Sequence, residues 1–363
     1  MRTRIISMLA VLSKGDAVSN DALAIHKLIK RAGYEAVLCA ERAYYTPDGE
    51  KVIPADDLGF IREDDIVLYH LSTGTGLNYR LGQIRCKKII RYHNVTPPEF
   101  FQNCSTLKIA SAMDGLYGAK YLADKADFCI CVSDYNRQDL YRMNYRCPMC
   151  VVPILIAFED YRTVPNQEIL AGMKNTTDIV FTGRIAPNKR QEDVIQAFYY
   201  YQKYYNPDAR LHLVGNPAGM ENYYEKLLWY VKKLDVKNVN FTGHISFADM
   251  LAYYAGGNLL LCMSDHEGFC VPLVEAMYFS VPIIAKEAAA VGETLGDAGI
   301  LLKDPSPAET AAVMNRVLTD PVLRQKIIQN EKERLEDFAT ERVEQQLLEA
   351  LENFVSGKMR ESL

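Results

Sequence analysis

Ile179-Val180-Phe181-Thr182-Gly183-Arg184-Ile185-Ala186-Pro187-Asn188-Lys189 decides how the second half of the chain reads. An apolar run stops at a glycine, and two cations then flank a turn containing Pro187. A matching pattern follows further along. Leu259-Leu260-Leu261-Cys262 leads to Glu267-Gly268-Phe269-Cys270-Val271-Pro272-Leu273-Val274-Glu275, which has a carboxylate at each end. Short apolar runs bounded by turn formers read as strands buried on both faces. Such strands, separated by helices, imply a parallel sheet.

The pattern extends in both directions. Ile179–Thr182, Leu211–Val214, Val239–Phe241, Leu259–Cys262, Pro282–Ala285 and Ile300–Leu302 read as strands. Asp193–Tyr205, Tyr223–Leu234, Phe247–Ala255 and Leu273–Tyr278 read as the helices between them. In the first half, Ile5–Leu9, Ala36–Leu38, Ile66–His70, Lys88–His93 and Phe128–Ser133 are strands, and Asn20–Ala32 is a helix ending at Gly33. Between the halves, Val152-Pro153 to Pro165-Asn166 loses periodicity and reads as a linker. The fold class is therefore α/β, with two Rossmann-like doubly wound domains facing a central cleft. Residues 1–155 form the first domain and 156–340 the second. The last helix, within 341–363, carries Val343, Leu347, Leu348, Leu351 and Phe354 on one stripe and is expected to pack back on the first domain.

Bulk properties narrow the class. A chain of 363 residues exceeds one ordinary core, which favours two domains. A net charge of -5 gives no general pull toward nucleic acid. Arg2 and Arg4 precede an apolar stretch broken by Lys14, Gly15 and Asp16, so that stretch reads as a first strand and not as a signal peptide. No run approaches a membrane span. Cys129, Cys131 and Cys262 lie in apolar runs and read as reduced core thiols of a cytoplasmic chain. Cys147 and Cys150 form a lone CxxC without partner ligands.

The charges of the two opening motifs suit a sugar joined to a diphosphate. Gly183 allows a sharp turn, and Arg184 and Lys189 can stabilise phosphate charge where it develops. Glu267 and Glu275 can accept hydrogen bonds from hydroxyls, with the amides of Gly268, Phe269 and Cys270 nearby. Three other readings stay open for these residues. The turn could hold two solvated cations. The carboxylates could be an acid/base pair of a hydrolase. Asp265, His266 and Glu267 could ligate a metal, although consecutive residues rarely point at one ion.

The pair Gly183-Arg184-x4-Lys189 and Glu267-x7-Glu275 resembles the donor-binding signature of the retaining GT-B glycosyltransferases of family four. Supporting stretches cover nearly the whole chain. Leu213-Val214-Gly215 resembles the strand end before the nucleotide site, and Phe241-Thr242-Gly243-His244-Ile245 the loop beside the nucleobase. Ser133-Asp134-Tyr135 follows the last strand of the first domain, and Pro153 marks the crossing between domains. Asn94-Val95-Thr96-Pro97-Pro98, with Ser72-Thr73-Gly74-Thr75-Gly76, resembles the mannosyltransferase-like bacterial branch that builds surface polysaccharides.

The resemblance implies roles. Arg184 and Lys189 would bind the diphosphate and Glu275 the ribose. Glu267 would face the donor sugar, with Gly183, Gly215, Gly243, His244, Ile245, Gly268, Phe269, Cys270 and Val271 lining the donor. His93 would contact donor sugar or acceptor. Gly15, Asp16, His70, Ser72, His93 and Asn94 would form the acceptor side. One departure stands out: Ser13-Lys14-Gly15-Asp16 replaces the Gly-Gly loop that many members carry after the first strand.

The implied activity is transfer of a mannose- or glucose-type hexose from a nucleotide-diphospho-sugar to a glycan or lipid-linked saccharide, with retention and without metal or other cofactor. The protein would be cytoplasmic. A peripheral membrane contact could come through Phe100, Phe101, Leu107, Ile109 and Tyr117, which equally suit ordinary helix packing. A nucleotide-sugar epimerase of the same architecture and a non-catalytic nucleotide-sugar-binding subunit are the rival readings. A dehydrogenase is disfavoured because no GxGxxG follows the first strand.

Overall fold

The structure, a computed structural model, describes residues 3–358. Arg2 and the 359–363 end of the expected last helix lie outside the described residues. The chain divides into two compact units. Unit 1 comprises the chain up to Pro98, Leu107–Phe158 and the chain from Phe338 onward; unit 2 comprises Glu99–Thr106 and Glu159–Asp337.

Unit 1 follows a strand–helix alternation. Its elements are β1 (Arg4–Leu12), α1 (Ala17–Arg31), β2 (Glu35–Ala43), β3 (Val52–Pro54), β4 (Ile66–Leu71), α2 (Gly76–Leu81), β5 (Lys87–Tyr92), α3 (Thr106–Tyr121), β6 (Phe128–Cys131), α4 (Asp134–Arg142) and β7 (Met149–Val151). The sheet is wholly parallel, in the order β3-β2-β1-β4-β5-β6-β7. Every residue of β4 is buried, as expected for a strand covered on both faces. On one face Ile6, Met8, Val67, Tyr69 and Ile90 pack with Leu77, Ala119 and Leu140. On the other, Ile5, Leu68 and Ile89 pack with Ile25 and Leu28 of α1 and with Val343, Leu347, Leu351 and Phe354.

Unit 2 repeats the design with α5 (Gln167–Gly172), β8 (Asp178–Thr182), α6 (Gln191–Tyr204), β9 (Arg210–Val214), α7 (Glu221–Leu234), β10 (Val239–Gly243), α8 (Phe247–Gly256), β11 (Leu259–Cys262), α9 (Val271–Phe279), β12 (Ile283–Lys286), α10 (Val291–Leu295), β13 (Ile300–Leu302), α11 (Pro307–Thr319) and α12 (Pro321–Leu335). Its sheet runs β10-β9-β8-β11-β12-β13 with all strands parallel. The chain then returns to unit 1 as α13 (Thr340–Val355), whose Phe354 stacks on Phe128 at 5.7 Å.

Glu99–Thr106 clusters with unit 2, although it lies inside the 1–155 block that the sequence suggests for the first domain. Asn222 Nδ2 donates to the Cys104 carbonyl at 3.2 Å, and Lys226 Nζ to that of Asn103 at 3.3 Å. Of the apolar residues considered for a membrane contact, Phe101 is buried, whereas Leu107 and Tyr117 are exposed. No helix among the described residues is long and apolar enough to cross a membrane.

Candidate functional site

The strand order of unit 2 reverses direction between β8 and β11, and loops at such a point splay apart at the carboxyl ends of the strands. Both signature stretches begin there. Gly183 leaves β8 at φ 138°, a backbone suited to glycine. Its amide donates to the Val214 carbonyl at 3.0 Å, and the Ile185 amide reaches the Asn216 carbonyl at 3.2 Å. The tips of β8 and β9 therefore lie side by side. A Cβ on Gly215 would stand 1.9 Å from the Gly183 carbonyl oxygen, so only glycine permits the approach. Gly215 bridges in turn to Gly243, whose φ is 68°. Gly183, Gly215 and Gly243, three of the glycines implied by the resemblance, thus share one edge of one sheet. His244 next to them is exposed, while Ile245 packs against Val180, Val214 and Tyr253.

The two signature loops are bolted together. The Asp265 amide donates to the Asn188 carbonyl at 2.9 Å, and Asn188 Nδ2 donates to the His266 carbonyl at 3.1 Å. Lys189 Nζ lies 2.6 Å from both Glu267 oxygens. Burial opposes the Lys189 charge, but the Glu267 carboxylate outweighs it and raises the lysine pKa. Arg190 is tied to Asp193, Glu192 and Asp265, and Lys286 holds the other Asp265 oxygen at 2.6 Å. Arg184 differs from its neighbours. It is exposed, and its guanidinium has no partner among the described residues.

Glu275 sits on α9 with its carboxylate buried. Tyr161 donates to Oε1 at 2.7 Å and Tyr254 to Oε2 at 2.6 Å. Burial raises the Glu275 pKa, and the two phenols partly oppose the shift. The Tyr254 hydroxyl also meets Thr182 at the end of β8. An ionised carboxylate has about four lone-pair directions, so two remain for ligand hydroxyls. Phe269 and Cys270 are buried at the entry to α9; Thr294 donates to the Phe269 carbonyl, and Cys270 adopts φ 75°. The sequence reading missed Asn188, Tyr161 and Tyr254. Tyrosines in apolar segments read as packing, and nothing in their spacing links them to Glu275.

Unit 1 places its candidates differently. Asp16 caps α1, accepting from the Ser19 amide at 3.0 Å, beside the exposed Gly15 at φ 77°. Ser72 is half-buried after β4. His93 is almost buried and His70 wholly so; His70 Nδ1 and His93 Nε2 lie 3.1 Å apart. Behind them Asp21, fully buried and overlooked in the sequence, takes Arg91 Nε at 2.9 Å and the Leu155 amide at 2.7 Å. Arg91 also donates to the Val152 and Pro153 carbonyls at 2.7 Å each. Burial would raise the Asp21 carboxyl, but Arg91 and the imidazoles hold it below its usual range. Burial also lowers both histidines, His70 to about 4 and His93 well below 6.5, so both are neutral at pH 7. Asn94 adopts φ 85° and donates to Asn136 at 2.8 Å.

Among the described residues, two groups bring metal-ligating atoms within 4.8 Å of one another: Asp21, His70 and His93, and Cys262, Glu267 and Cys270. The first already holds a cation, because Arg91 lies against the carboxylate. Sheet order, the glycine edge and the paired charged loops meet at the β8–β11 switch point of a Rossmann-like unit 2.

Comparison with known proteins shows what unit 2 is similar to. Residues 166–334 match the family described as "Glycosyl transferases group 1". Among curated relatives, the O-antigen chain mannosyltransferase B of Escherichia coli is 24% identical over 194 residues, covering 51% of this chain and 50% of that protein. An uncharacterized glycosyltransferase of Methanocaldococcus jannaschii is 26% identical over 238 residues, covering 65% of this chain and 62% of its own length. The chain thus spans between half and two thirds of these relatives. The structure of Anabaena HepE in complex with UDP and glucose superposes with a TM-score of 0.76 at 20% identity, over 97% of this chain and 100% of that one. The chain has the GT-B fold, and residues 166–334 of unit 2 are similar to the group 1 glycosyltransferases.

Proposed function

We propose that the protein is a retaining glycosyltransferase that moves a mannose- or glucose-type hexose from a nucleotide-diphospho-sugar to a glycan or lipid-linked saccharide in surface-polysaccharide synthesis. The observation that carries this reading is the meeting of the Gly183–Lys189 turn and the Glu267–Glu275 stretch at the switch point of the unit 2 sheet, with Arg184 unengaged. Nucleotide and glucose in HepE, and the mannosyltransferase among the relatives, support the choice of donor and product.

In this account the diphosphate meets Arg184 first and then competes with Glu267 for Lys189. Charge grows on the leaving oxygen as the glycosidic bond breaks. Two fixed cations stabilise that charge at little reorganisation cost, and no metal is needed for the step. Glu267, released from Lys189, accepts from sugar hydroxyls, and Glu275 accepts from the ribose while Tyr161 and Tyr254 keep it oriented. No carboxylate is assigned as a nucleophile. Substitution occurs on the front face through an oxocarbenium-like ion pair, and the departing phosphate takes the acceptor proton. Acceptor handling is assigned to unit 1, with Gly15, Asp16, Ser72, His93 and Asn94 at or next to the carboxyl ends of its strands and His70 buried behind them.

A thermal-shift panel of UDP-, GDP- and ADP-sugars tests the reading. One donor class is expected to raise Tm, because a ligand at 100 times its Kd stabilises by about 2.7 kcal/mol. An unchanged Tm across the panel contradicts the proposal. A donor that binds and then isomerises without acceptor would favour the epimerase.

A further inference from the structure

Two of the nine cysteines meet at the candidate site. Cys262 ends β11, and Cys270 is the residue before α9. Both are buried, and their sulfurs stand 3.8 Å apart. Glu267 lies between them in sequence, and the ligating atoms of all three fall within 4.8 Å of one another. Cys270 sits at φ 75°, where a Cβ costs on the order of 1 kcal/mol or more and glycine costs nothing. The chain carries a sulfur at a position whose backbone favours none.

The sulfur spacing is that of a thiol–thiol contact and also suits a shared ion. In a tetrahedral zinc site each Zn–S bond is about 2.3 Å, which sets the sulfur–sulfur edge at about 3.8 Å. A disulfide would need the sulfurs to close to about 2.05 Å. The pair therefore already stands at the spacing of two ligands on one ion. We propose that Cys262, Cys270 and Glu267 form a binding site for one thiophilic divalent ion, zinc or a metal of similar coordination, and that the ion takes no chemical part in sugar transfer.

Charge and protons balance. The ion displaces the two thiol protons to solvent and forms two metal–sulfur bonds. Glu267 supplies one oxygen, and water fills the fourth position. Two thiolates and a carboxylate leave the site one negative charge in excess of a divalent ion. The Lys189 ammonium, now 2.6 Å from both Glu267 oxygens, can stay on the second oxygen and neutralise that charge. A carboxylate shared between metal and outer cation is ordinary second-layer support for a ligand. The consequence for donor binding rests on the proposed function: the ion would hold Glu267 and Lys189 in place and make the protein less able to take a nucleotide-sugar.

Cobalt(II) gives a direct readout on the full reduced chain, because tetrahedral thiolate coordination produces near-ultraviolet charge-transfer and visible d–d bands. One equivalent is expected to bind, with the bands lost on adding zinc(II). They should vanish in Cys270→Gly, which relaxes the backbone and so is expected to fold, and in Cys262→Ser. They should persist in Cys147→Ser, which probes the separate sulfur pair formed by Cys129 and Cys147 at 3.5 Å. Absence of thiolate bands in the unsubstituted protein overturns the proposal. So do bands that survive in Cys270→Gly or that disappear in Cys147→Ser. Donor binding is measured separately, as the Tm shift by nucleotide-sugar with and without zinc(II). If no nucleotide-sugar binds at all, the donor reading fails while the cobalt result still decides the metal site.

Discussion

The two sheets share one wiring and spend their charges in opposite ways. In each, the strand order turns back beside the first strand of the unit, β1 in one and β8 in the other. At the β8 end, Arg184 is exposed and unengaged, and Lys189 holds only Glu267. At the β1 end, Asp21 and Arg91 are fully buried and spent on each other, on the Leu155 amide and on the Val152 and Pro153 carbonyls. A buried charge that is fully paired holds the scaffold; a charge left partly paired at a strand end is available to a ligand.

The largest effect expected from this contrast is on stability. Asp21→Ala leaves Arg91 buried without its carboxylate and should cost about 3–5 kcal/mol in urea unfolding. A loss below about 1 kcal/mol would mean that the cluster is not structural. Arg184→Ala should do the reverse. Turnover is expected to fall about 10²–10³-fold, the effect of removing one charge-stabilising donor, while stability stays within about 0.5 kcal/mol. Tyr254→Phe tests an intermediate case, because it removes one donor from buried Glu275. A cost of about 1–3 kcal/mol, with weaker donor binding, is expected from equilibrium unfolding and titration.

A fourth test isolates a buried carboxyl that lacks a full partner. Glu331 accepts from the Ile283 amide at 3.0 Å through Oε1, while its Oε2 is unsatisfied. Burial pushes its pKa from 4.5 to about 9. The folded state thus retains a proton that the unfolded state has lost across that window. Its contribution to stability is complete below pH 4.5 and is lost as pH rises toward 9. Glu331→Gln should flatten the fall in Tm between pH 6 and pH 8.5 by roughly a few degrees; an unchanged slope would show that Glu331 is not the source. The smallest signal is spectroscopic. His70 and His93 should show no NMR titration near pH 6.5, because burial keeps both neutral.

Much of the fold was legible in the sequence because parallel strands buried on both faces are continuous apolar runs, as in Ile66–His70 and Leu259–Cys262. Two short edge strands of unit 1 were not, although the equally short β13 was read at Ile300–Leu302. β3 and β7 have three residues each and too little pattern to separate from loop. In the site, the glycines and charges next to strand ends were visible because their spacing is local. Asp21 was not, since its partner lies 70 residues away. A usable hint existed: Asp21 falls four, seven and eight residues before Ile25, Leu28 and Ile29, on the buried stripe of α1. A carboxylate on an apolar stripe asks for a partner. Tyr161 and Tyr254 gave no such hint, and only the folded chain brings them to Glu275.

The central claim is that the β8–β11 switch point binds the nucleotide diphosphate. Calorimetric titration of the nucleotide whose sugar raises Tm, into the unsubstituted protein and Arg184→Ala, tests it most directly. The account predicts one site per chain and at least tenfold weaker binding in Arg184→Ala, with the ligand-free Tm values equal. Equal affinity in the two proteins would contradict it.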